Sequence, residues 1–586
     1  VDSVPYPNPS PIKSTPISSP ATITVPTPDP VPEPAPSQWR LPSPVPSSPS
    51  SPTSSSTSSA PISSPPEVTR NSRALKQLAD FNGKGRIDTE VTGPRKRKPK
   101  VYYNLEETEE NAVPEVHSMH AYWLAFNPAA FAAKKNKDPD TLSYDEAMQD
   151  TENLDKWRAA AEKEIRQLEE KGCWEECAKS EAEENNQPII PSTWVFRVKR
   201  NPAGEITKYK GRICLRGDLM DSEAESYAPV VSWSTIRFFL TLAIMLNWTT
   251  VSVDWANAFI QAELEEPMYM STPRGFKNNK FGVLGCLKVF KSLYGSKFAP
   301  LNWYKHLRHA LLTKMGMRES SVDKCLLYRP GLFLILYVDD AGIAAANRSI
   351  IDEFVKELRD LGFDLDIEDD FSSYLGIGIE ELADGSRHMT QKGLIKKVIK
   401  ATGMESCNPN HTPATQVALG SDPSGSPHDN SEWSYASVVG MLLYISNNTR
   451  PDITFAVSQV ARFTAQPKKS HATAVKTIVR YLSGTWEQGL IFKPDGSFHL
   501  RAWVDADFAG LYGREPSENP NNVRSRFGYI ITFGGVPLVW KSQLISEICL
   551  STLHAEYVGL VNCLKALIPI RKTVTDLLVF LELPSD

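Results

Sequence analysis

Two adjacent acids interrupt an apolar stretch at residues 332–347, which read LFLILYVDDAGIAAAN. Seven apolar residues lead directly into Asp339 and Asp340, and a second apolar run follows at once. Two apolar runs joined by a short polar turn predict a buried β-hairpin. Ionised carboxylates are costly to bury unless positive charge lies against them. The pair therefore indicates either a functional site or an ordinary turn whose Asp side chains face water.

A second acid follows a short β-rich run upstream, in the sequence TTVSVDWANAFIQAEL. Residues 249–253 are predicted to form a strand that ends at Asp254, and the residues from Trp255 onward are predicted to continue as a helix. Carboxylates that converge from separate strands can hold two divalent ions about 4 Å apart, and hard oxygen ligands suit Mg²⁺. Asp254 alone could equally act as the N-cap of the predicted helix.

The N-terminal part of the chain has the composition of an unfolded segment. Of the 45 prolines, 20 fall within residues 1–66, so this segment is predicted to be disordered. Residues 67–139 follow as a basic linker, with ten Lys/Arg against four Asp/Glu between residues 67 and 100. That stretch is either a nuclear-import or nucleic-acid-binding patch or a solvated charged linker.

Charge and hydropathy exclude some classes of protein. The net charge of −5 argues against nucleic-acid binding through overall basicity, so such binding would need a local groove. The eight cysteines are scattered without a pairing pattern, which is typical of a reducing compartment. No apolar run approaches the roughly 20 residues of a membrane span. The chain begins VDSVPYPNPS without an initiator Met, which indicates a fragment or a processed piece.

Regular structure is predicted from about residue 140. An amphipathic helix is indicated by apolar residues that recur at helical spacing, namely Ala147, Trp157, Ala161, Ile165 and Leu168. The segment STWVFRVKRNPAGEITKYKGRICLRG alternates apolar and basic residues around NPAG, which predicts a β-hairpin. FFLTLAIML (238–246) is predicted to be a core helix, and LRAWVDADF a strand.

Eight motifs then occur in order across residues 140–586. They read SVDWANAF…PMYMSTPRGF, KSLYGSKFAPLNWY, LYVDDAGIAAA, YLGIGI, GMLLYISNNTRPDITFAVSQVARF, VRYLSGTWEQGL, WVDADFAG and STLHAEY. In this order they resemble the reverse transcriptase and adjoining ribonuclease H region of copia-type long-terminal-repeat retrotransposons.

The resemblance implies a fold and an activity. The fold is of the α+β class: a right-hand polymerase of fingers, palm and thumb over residues 140–410, a connection region over 411–500, and a C-terminally truncated RNase H-like domain over 501–586. The activity is RNA-directed DNA polymerisation, with two Mg²⁺ or Mn²⁺ ions at the palm. The implied partners are RNA template, DNA primer, RNA–DNA hybrid, deoxynucleoside triphosphates and the integrase of the same polyprotein, without a membrane. The implied location is the cytoplasmic virus-like particle and the nucleus.

The resemblance also assigns roles to single residues. Asp254, Asp339 and Asp340 become the catalytic acids, with Asp254 and Asp339 as metal ligands. Phe259 occupies the place of an aromatic ring that excludes a ribose 2′-hydroxyl, although a core Phe fits the same position. The implied nucleotide-binding residues are Lys199, Lys210, Arg212, Phe259, Gly295 and Lys297. Which of the first three contacts the triphosphate is left open.

One motif departs from the family pattern. The family usually has LYGLKQxPRxW where this chain has LYGSKFAPLNW, so Ser296, Phe298 and Leu301 replace an apolar residue, a glutamine and an arginine. Phe298 cannot make the hydrogen bonds of the glutamine. This departure favours an alternative function, a decayed or domesticated remnant that folds and binds nucleic acid without catalysis.

The C-terminal motifs are also incomplete. Asp505 and Glu556 match the first two carboxylates of an RNase H site, and His554 stands where a Glu is more usual. The third carboxylate is expected on a strand beyond the helix that carries Glu556, and the chain stops short of it. RNase H activity is therefore expected to be absent.

Overall fold

The computed structural model describes residues 140–199, 206–220, 225–276, 278–369, 371–414 and 418–584, together with the backbone of Arg200. The predicted disordered segment (1–66), the basic linker (67–139) and the NPAG turn lie outside the described residues. Within the described ranges, none of the helices combines enough length with enough apolar sequence to cross a lipid bilayer.

The first part of the described chain is a small sheet packed against two helices. Its regular elements are, in chain order, β1 (Thr141–Leu142), α1 (Tyr144–Gln149), α2 (Leu154–Glu170), β2 (Trp174–Ala178), α3 (Lys179–Glu184), β3 (Ile189–Ile190), β4 (Ser192–Arg200) and β5 (Ile206–Leu215). Strands β1, β4 and β5 form an antiparallel sheet, which confirms the predicted pairing on either side of NPAG.

The predicted amphipathic helix is two helices, because Asp150 ends the first. Its carboxylate accepts hydrogen bonds from the Asn153 backbone at 3.3 Å and from the Trp157 indole at 2.9 Å. Local bonds of this kind compete with helix continuation. All five apolar residues of the predicted stripe are nevertheless buried. The Trp157 ring meets Phe196 of β4 edge-on at 5.6 Å between centroids.

The central part of the chain is built on a six-stranded sheet. The elements are α4 (Trp233–Met245), β6 (Thr249–Trp255), β7 (Glu263–Met270), β8 (Gly285–Lys291), α5 (Ala299–His309), β9 (Arg318–Glu319), β10 (Leu326–Arg329), β11 (Leu332–Tyr337), β12 (Asp340–Ala345), α6 (Arg348–Asp360) and β13 (Leu365–Glu368). The sheet is antiparallel, with the order β13-β6-β12-β11-β10-β9. The remaining strands form a second sheet, β2-β8-β7-β3.

The predicted acidic hairpin is confirmed. Strands β11 and β12 pair from Leu332 opposite Ala345 to Tyr337 opposite Asp340, which leaves Val338 and Asp339 as a two-residue turn. Every side chain of β11 is buried. The predicted core helix is also confirmed, since α4 is buried from Thr235 through Ala243.

The helix predicted after Asp254 is wrong. Strand β6 continues through Trp255, only a single 3₁₀ turn follows at Ala258–Gln261, and β7 then begins. Asn257 has a left-handed backbone with φ of 53°, which interrupts any helix there. The Gln261 side chain donates to the backbone oxygens of Ala256 and Asp364, so it fixes the turn against the residue that precedes β13. The N-cap interpretation of Asp254 therefore fails as well.

The third part combines a four-stranded sheet with a helical group. The elements are β14 (Ser373–Tyr374), β15 (Ile377–Glu381), β16 (Arg387–Thr390), α7 (Lys392–Ala401), α8 (Tyr435–Asn448), α9 (Thr454–Ala461), α10 (Lys469–Gly484) and β17 (Leu490–Phe492). The sheet order is β14-β15-β16-β17. Its last strand comes from the predicted connection region and the other three from the predicted polymerase region.

The C-terminal part begins with the predicted strand at LRAWVDADF. Its elements are β18 (Leu500–Ala506), β19 (Arg526–Phe533), β20 (Val536–Leu544) and the long helix α11 (Thr552–Phe580), with the strands in sequential antiparallel order. One hydrophobic core extends from α4 and the central sheet to Leu538 and Trp540 of β20 and Leu577 of α11. The C-terminal sheet is thus packed on the central part through a shared core.

Arg237 joins these parts from the middle of α4. Its side chain is 2% exposed and donates to the backbone oxygens of Leu538 (2.6 Å), Asn447 and Asn448 (3.2 Å). The guanidinium also lies over the Trp540 ring, 4.2 Å from its centroid. Burial lowers its pKa to about 9. One buried cation therefore satisfies carbonyl groups of α8 and β20 at once.

We expect Arg237→Met to lower the free energy of unfolding by about 2–4 kcal/mol, because buried carbonyl oxygens lose their donors. Urea denaturation followed by tryptophan fluorescence measures the change. Arg501→Met, at a half-exposed arginine of β18, is the matched control and should change stability by less than about 0.5 kcal/mol. Equal stability of the two variants would contradict the structural role of Arg237.

Candidate active site

A cleft of about 410 Å³ opens between the β4–β5 hairpin, helix α2 and the ends of strands β6 and β12. Acids of the central sheet line one part of it and cations of the hairpin line another. Its charged lining residues are Lys163, Glu164, Lys199, Lys208, Lys210, Arg212, Asp254, Asp339, Asp340 and Asp366. The three predicted catalytic acids and the three predicted phosphate-binding cations therefore share one cleft.

Three carboxylates form a row across adjacent strands. Asp254 of β6 lies directly opposite Asp340 of β12 on one side and Asp366 of β13 on the other. Directly opposed residues in an antiparallel sheet have Cα atoms about 4.5–5.5 Å apart and project from the same face. Asp339 sits beside the row in the hairpin turn. The sequence had not indicated Asp366, although the alternating LDIE at 365–368 is a strand signal with an acidic face.

The hairpin turn is fixed by two backbone contacts. The Trp303 indole donates to the Val338 oxygen at 2.6 Å, and the Trp255 amide donates to the Asp339 oxygen at 3.1 Å. Val338 has a φ of 54°, a left-handed conformation that is strained for a β-branched residue. The surrounding contacts thus hold a strained turn that places Asp339 at the cleft.

Burial and the charges of neighbouring acids raise the pKa of Asp340 and of Asp254. Burial is the largest cause of the shift at Asp340, followed by the charges of Asp339 and Asp254, and together they raise its pKa to about 7. Partial burial and the charge of Asp339 likewise raise the pKa of Asp254, whereas Lys199 and Lys210 act in the opposite direction. A cation bound between these carboxylates would reduce their mutual repulsion, so the site favours cation binding.

This donor set suits a divalent cation that keeps part of its hydration. Carboxylate oxygens are hard ligands, and Mg²⁺ is commonly held by one or two carboxylates together with water and substrate phosphates. Within the described part of the chain, no group of three or more His, Cys, Asp or Glu side chains is arranged to hold a metal ion by itself. The carboxylates of the cleft could supply only part of the ligand shell of such a cation, and water and phosphate oxygens would supply the rest.

Lys210 of the hairpin lies in partly desolvated surroundings. Burial is the largest cause that lowers the pKa of Lys210, to about 8, and the neighbouring charges of Arg212 and Lys199 act in the same direction. The buried carboxyl of Glu164 lies among them and accepts from the Ile213 amide at 3.4 Å. Burial raises the pKa of Glu164, whereas the Ile213 amide and the charges of Lys210 and Arg212 act in the opposite direction.

Phe259 and Tyr294 form the apolar side of the cleft. Their ring centroids are 5.3 Å apart, and both rings are half-buried. Phe259 also packs against the central core, so it has a core contact and an exposed edge in the cleft. The sequence had indicated Phe259 but not Tyr294, although Tyr294 belongs to the KSLYGSKF motif.

Two predicted nucleotide-binding residues lie outside the cleft lining. Gly295 has a φ of 84°, and a Cβ there would collide with the Leu215 backbone oxygen, so glycine is required for close packing against β5. Lys297 donates to the Met220 oxygen at 2.6 Å. Both residues position the loop beside the hairpin and are not among the side chains that line the cavity.

The residues that depart from the family motif face the protein interior. Ser296 and Leu301 are buried. Phe298 is half-buried against the core of the first part of the chain. The Ser296 hydroxyl accepts from the Phe298 amide at 3.3 Å. These side chains therefore take packing roles beside the cleft.

The RNase H-like pair is divided by the sheet. Helix α11 packs on β18 through Gly559, where an added Cβ would contact Val504 and Ala506 at 3.4–3.5 Å. Because side chains alternate along a strand, Asp505 between them points to the opposite face. Glu556 lies one turn before Gly559 in α11. His554 lies in the first turn, and its Nδ1 accepts from the Leu550 amide at 3.3 Å.

Comparisons with known proteins agree with the sequence motifs. Residues 180–416 match the family model described as reverse transcriptase (RNA-dependent DNA polymerase). The chain is 31% identical over 404 residues to the retrovirus-related Pol polyprotein from transposon RE1 of Arabidopsis thaliana, covering 68% of this chain and 26% of that protein. It is 31% identical over 400 residues to the corresponding polyprotein from transposon TNT 1-94 of Nicotiana tabacum, covering 66% and 29%.

Among solved structures, the foamy viral protease–reverse transcriptase in complex with double-stranded DNA is matched at a TM-score of 0.40 and 12% identity, over 71% of this chain and 61% of that one. The match covers less than a third of the length of each of the two transposon polyproteins. Residues 180–416 therefore form a domain of the reverse transcriptase family, and the relatives that the chain matches are Pol polyproteins of copia-type transposons.

Proposed function

We propose that this chain is an RNA-directed DNA polymerase that transfers deoxynucleotides to a primer at the cleft of Asp254, Asp339 and Asp340. The supporting observation is the strand register that sets Asp254 opposite Asp340, with Asp339 in the adjoining turn and cations on the other side of the same cleft. Acids that attract cations and basic side chains that attract phosphate are the two requirements of nucleotidyl transfer.

The residues have distinct roles in this proposal. Lys199, Lys210 and Arg212 bind the triphosphate and offset negative charge that builds up during transfer. Phe259 lies against the sugar and excludes a 2′-hydroxyl. Asp254 and Asp339 would hold two divalent cations, Mg²⁺ or Mn²⁺, which when bound favour ionisation of the primer 3′-hydroxyl and departure of pyrophosphate. Asp340 adds negative charge next to Asp254.

The proposed partners follow from the same reaction. They are an RNA template, a DNA primer, the RNA–DNA hybrid and deoxynucleoside triphosphates. Integrase as a partner, and the cytoplasmic virus-like particle and nucleus as locations, are proposed from the family alone. The competing function is a folded remnant that binds nucleic acid without catalysis, and a catalytic assay separates the two.

Primer extension on poly(A)–oligo(dT) with Mg²⁺ or Mn²⁺ tests the proposal. We expect the wild-type chain to extend the primer and Asp254→Asn to lower the rate at least about a hundredfold, because a metal ligand is lost. Asp352→Asn, at an exposed acid of α6 that pairs with Arg348, is the matched control and should retain the wild-type rate. Primer binding without extension would favour the remnant.

The pH dependence of nucleotide use tests Lys210. Because its pKa in the free protein is about 8, the positive charge is present at pH 7 and is lost as the pH rises through 8. We therefore expect kcat/KM for dTTP to fall with rising pH, approaching about tenfold per pH unit well above pH 8. Lys210→Arg should remove this limb, because guanidinium stays charged. A wild-type profile that is flat from pH 7 to 9.5 would contradict the prediction that deprotonation of Lys210 limits nucleotide use in this range.

Sugar selection tests Phe259. We expect Phe259→Val to raise ribonucleotide incorporation relative to deoxynucleotide incorporation, because the ring that excludes the 2′-hydroxyl is removed. Single-nucleotide incorporation with dTTP and UTP measures the ratio. Phe276→Val, at a half-buried Phe that packs away from the cleft, should keep the wild-type ratio. An unchanged ratio in Phe259→Val would assign Phe259 to core packing alone.

A further inference from the structure

Tyr294 touches both the proposed sugar gate and a proposed phosphate-binding cation. Its ring lies 5.3 Å from the Phe259 ring at an interplanar angle of 60°. The Arg212 guanidinium lies over the same ring, 4.6 Å from its centroid. The Tyr294 hydroxyl donates to the Asn257 side chain at 3.4 Å. One side chain therefore contacts three residues of the cleft wall, two in the turn after β6 and one on β5.

These contacts restrain Phe259 and Arg212 in addition to the packing of Phe259 on the central core. Phe259 lies in a single 3₁₀ turn, Ala258–Gln261. The residue before this turn, Asn257, has a left-handed backbone. The Nε atom of Arg212 is buried and has no hydrogen-bond partner among the described residues. A ring packed between Phe259 and Arg212 limits the rotamers of both side chains. Its backbone is anchored in turn, since the Tyr294 oxygen accepts from the Leu215 amide at 2.7 Å.

We propose that Tyr294 is a positioning residue for nucleotide selection: its ring holds Phe259 against the sugar and Arg212 toward the triphosphate. This inference rests on the proposed function, since it assigns a basis for sugar discrimination at the same site. The aromatic ring makes the contacts that position Phe259 and Arg212. The hydroxyl contact to Asn257 is long for a hydrogen bond and contributes less.

Equilibrium binding tests the proposal without requiring catalysis. Binding of dATP and ATP is measured on the full chain with an RNA–DNA primer–template whose next template base is uracil. Ca²⁺ replaces Mg²⁺ to prevent transfer, and both nucleotides compete against a fluorescent dATP analogue. We expect the wild-type chain to prefer dATP, and Tyr294→Leu to reduce this preference about tenfold. Tyr294→Phe should stay within about threefold of wild type, because the ring remains.

A matched control separates positioning from general destabilisation. Tyr304 is a half-buried tyrosine of α5 that packs on the central core, as Phe259 does. Its hydroxyl donates to the Lys324 oxygen at 3.3 Å, away from the cleft. Tyr304→Leu should keep the wild-type dATP preference. An equal loss of preference in Tyr304→Leu and Tyr294→Leu would overturn the proposal.

A double variant tests whether Tyr294 acts through Phe259. If it does, Phe259→Val combined with Tyr294→Leu should show the preference of Phe259→Val alone, within about twofold. Effects that multiply would overturn this route. A wild-type chain that binds neither nucleotide, or binds both equally, would also overturn the proposal. If the wild-type chain prefers dATP and Tyr294→Leu reduces that preference, but primer extension fails, only the proposed polymerase activity is rejected.

Discussion

The central constraint on this structure is the repulsion of Asp254 by Asp340 and Asp366, which lie directly opposite it on the two neighbouring strands. Like charges in such positions destabilise a sheet by roughly 0.2–1 kcal/mol per pair. The neighbouring strand β11 is buried at every residue, and each large apolar side chain there contributes about 1.5–3 kcal/mol. Burial in the core therefore exceeds the repulsion at the strand ends, and the acids remain adjacent.

The distance along the chain between contacting residues explains which features could be predicted from the sequence. The hairpin was predictable because both of its strands and its turn lie within residues 332–345. The helix expected after Asp254 does not form, because that segment is controlled by contacts to Asp364, about a hundred residues away. Asp366 was missed for a similar reason, since its place in the acidic row depends on the pairing of β13 with β6. Local patterns are visible in one window of sequence, whereas strand order is not.

The cleft combines a local element with a long-range one. The hairpin that carries Lys199, Lys210 and Arg212 pairs within itself and packs on helix α2. The acidic row is assembled from three distant segments. Among the residues assigned to the polymerase site by the resemblance, the three acids, the three cations and Phe259 line the cleft, whereas Gly295 and Lys297 hold the loop that carries Tyr294. A motif position thus identifies a contributing segment more reliably than it identifies the side chain that meets a ligand.

The altered KSLYGSKF motif has a different meaning once the cleft is considered. Ser296, Phe298 and Leu301 are directed into the protein, and none of them is among the residues that line the cavity. Phe298 and Leu301 place apolar side chains where the family pattern has a glutamine and an arginine, whereas Ser296 places a hydroxyl where the pattern has an apolar residue. Tyr294 of the same motif contacts Phe259 and Arg212. The departure therefore bears on how the loop is supported. The charges proposed for catalysis lie on other strands and depend on the core beneath them, which continues through α4 to Arg237 and the C-terminal sheet. Because that core is shared, the integrity of the acidic row is coupled to parts of the chain well outside the polymerase motifs.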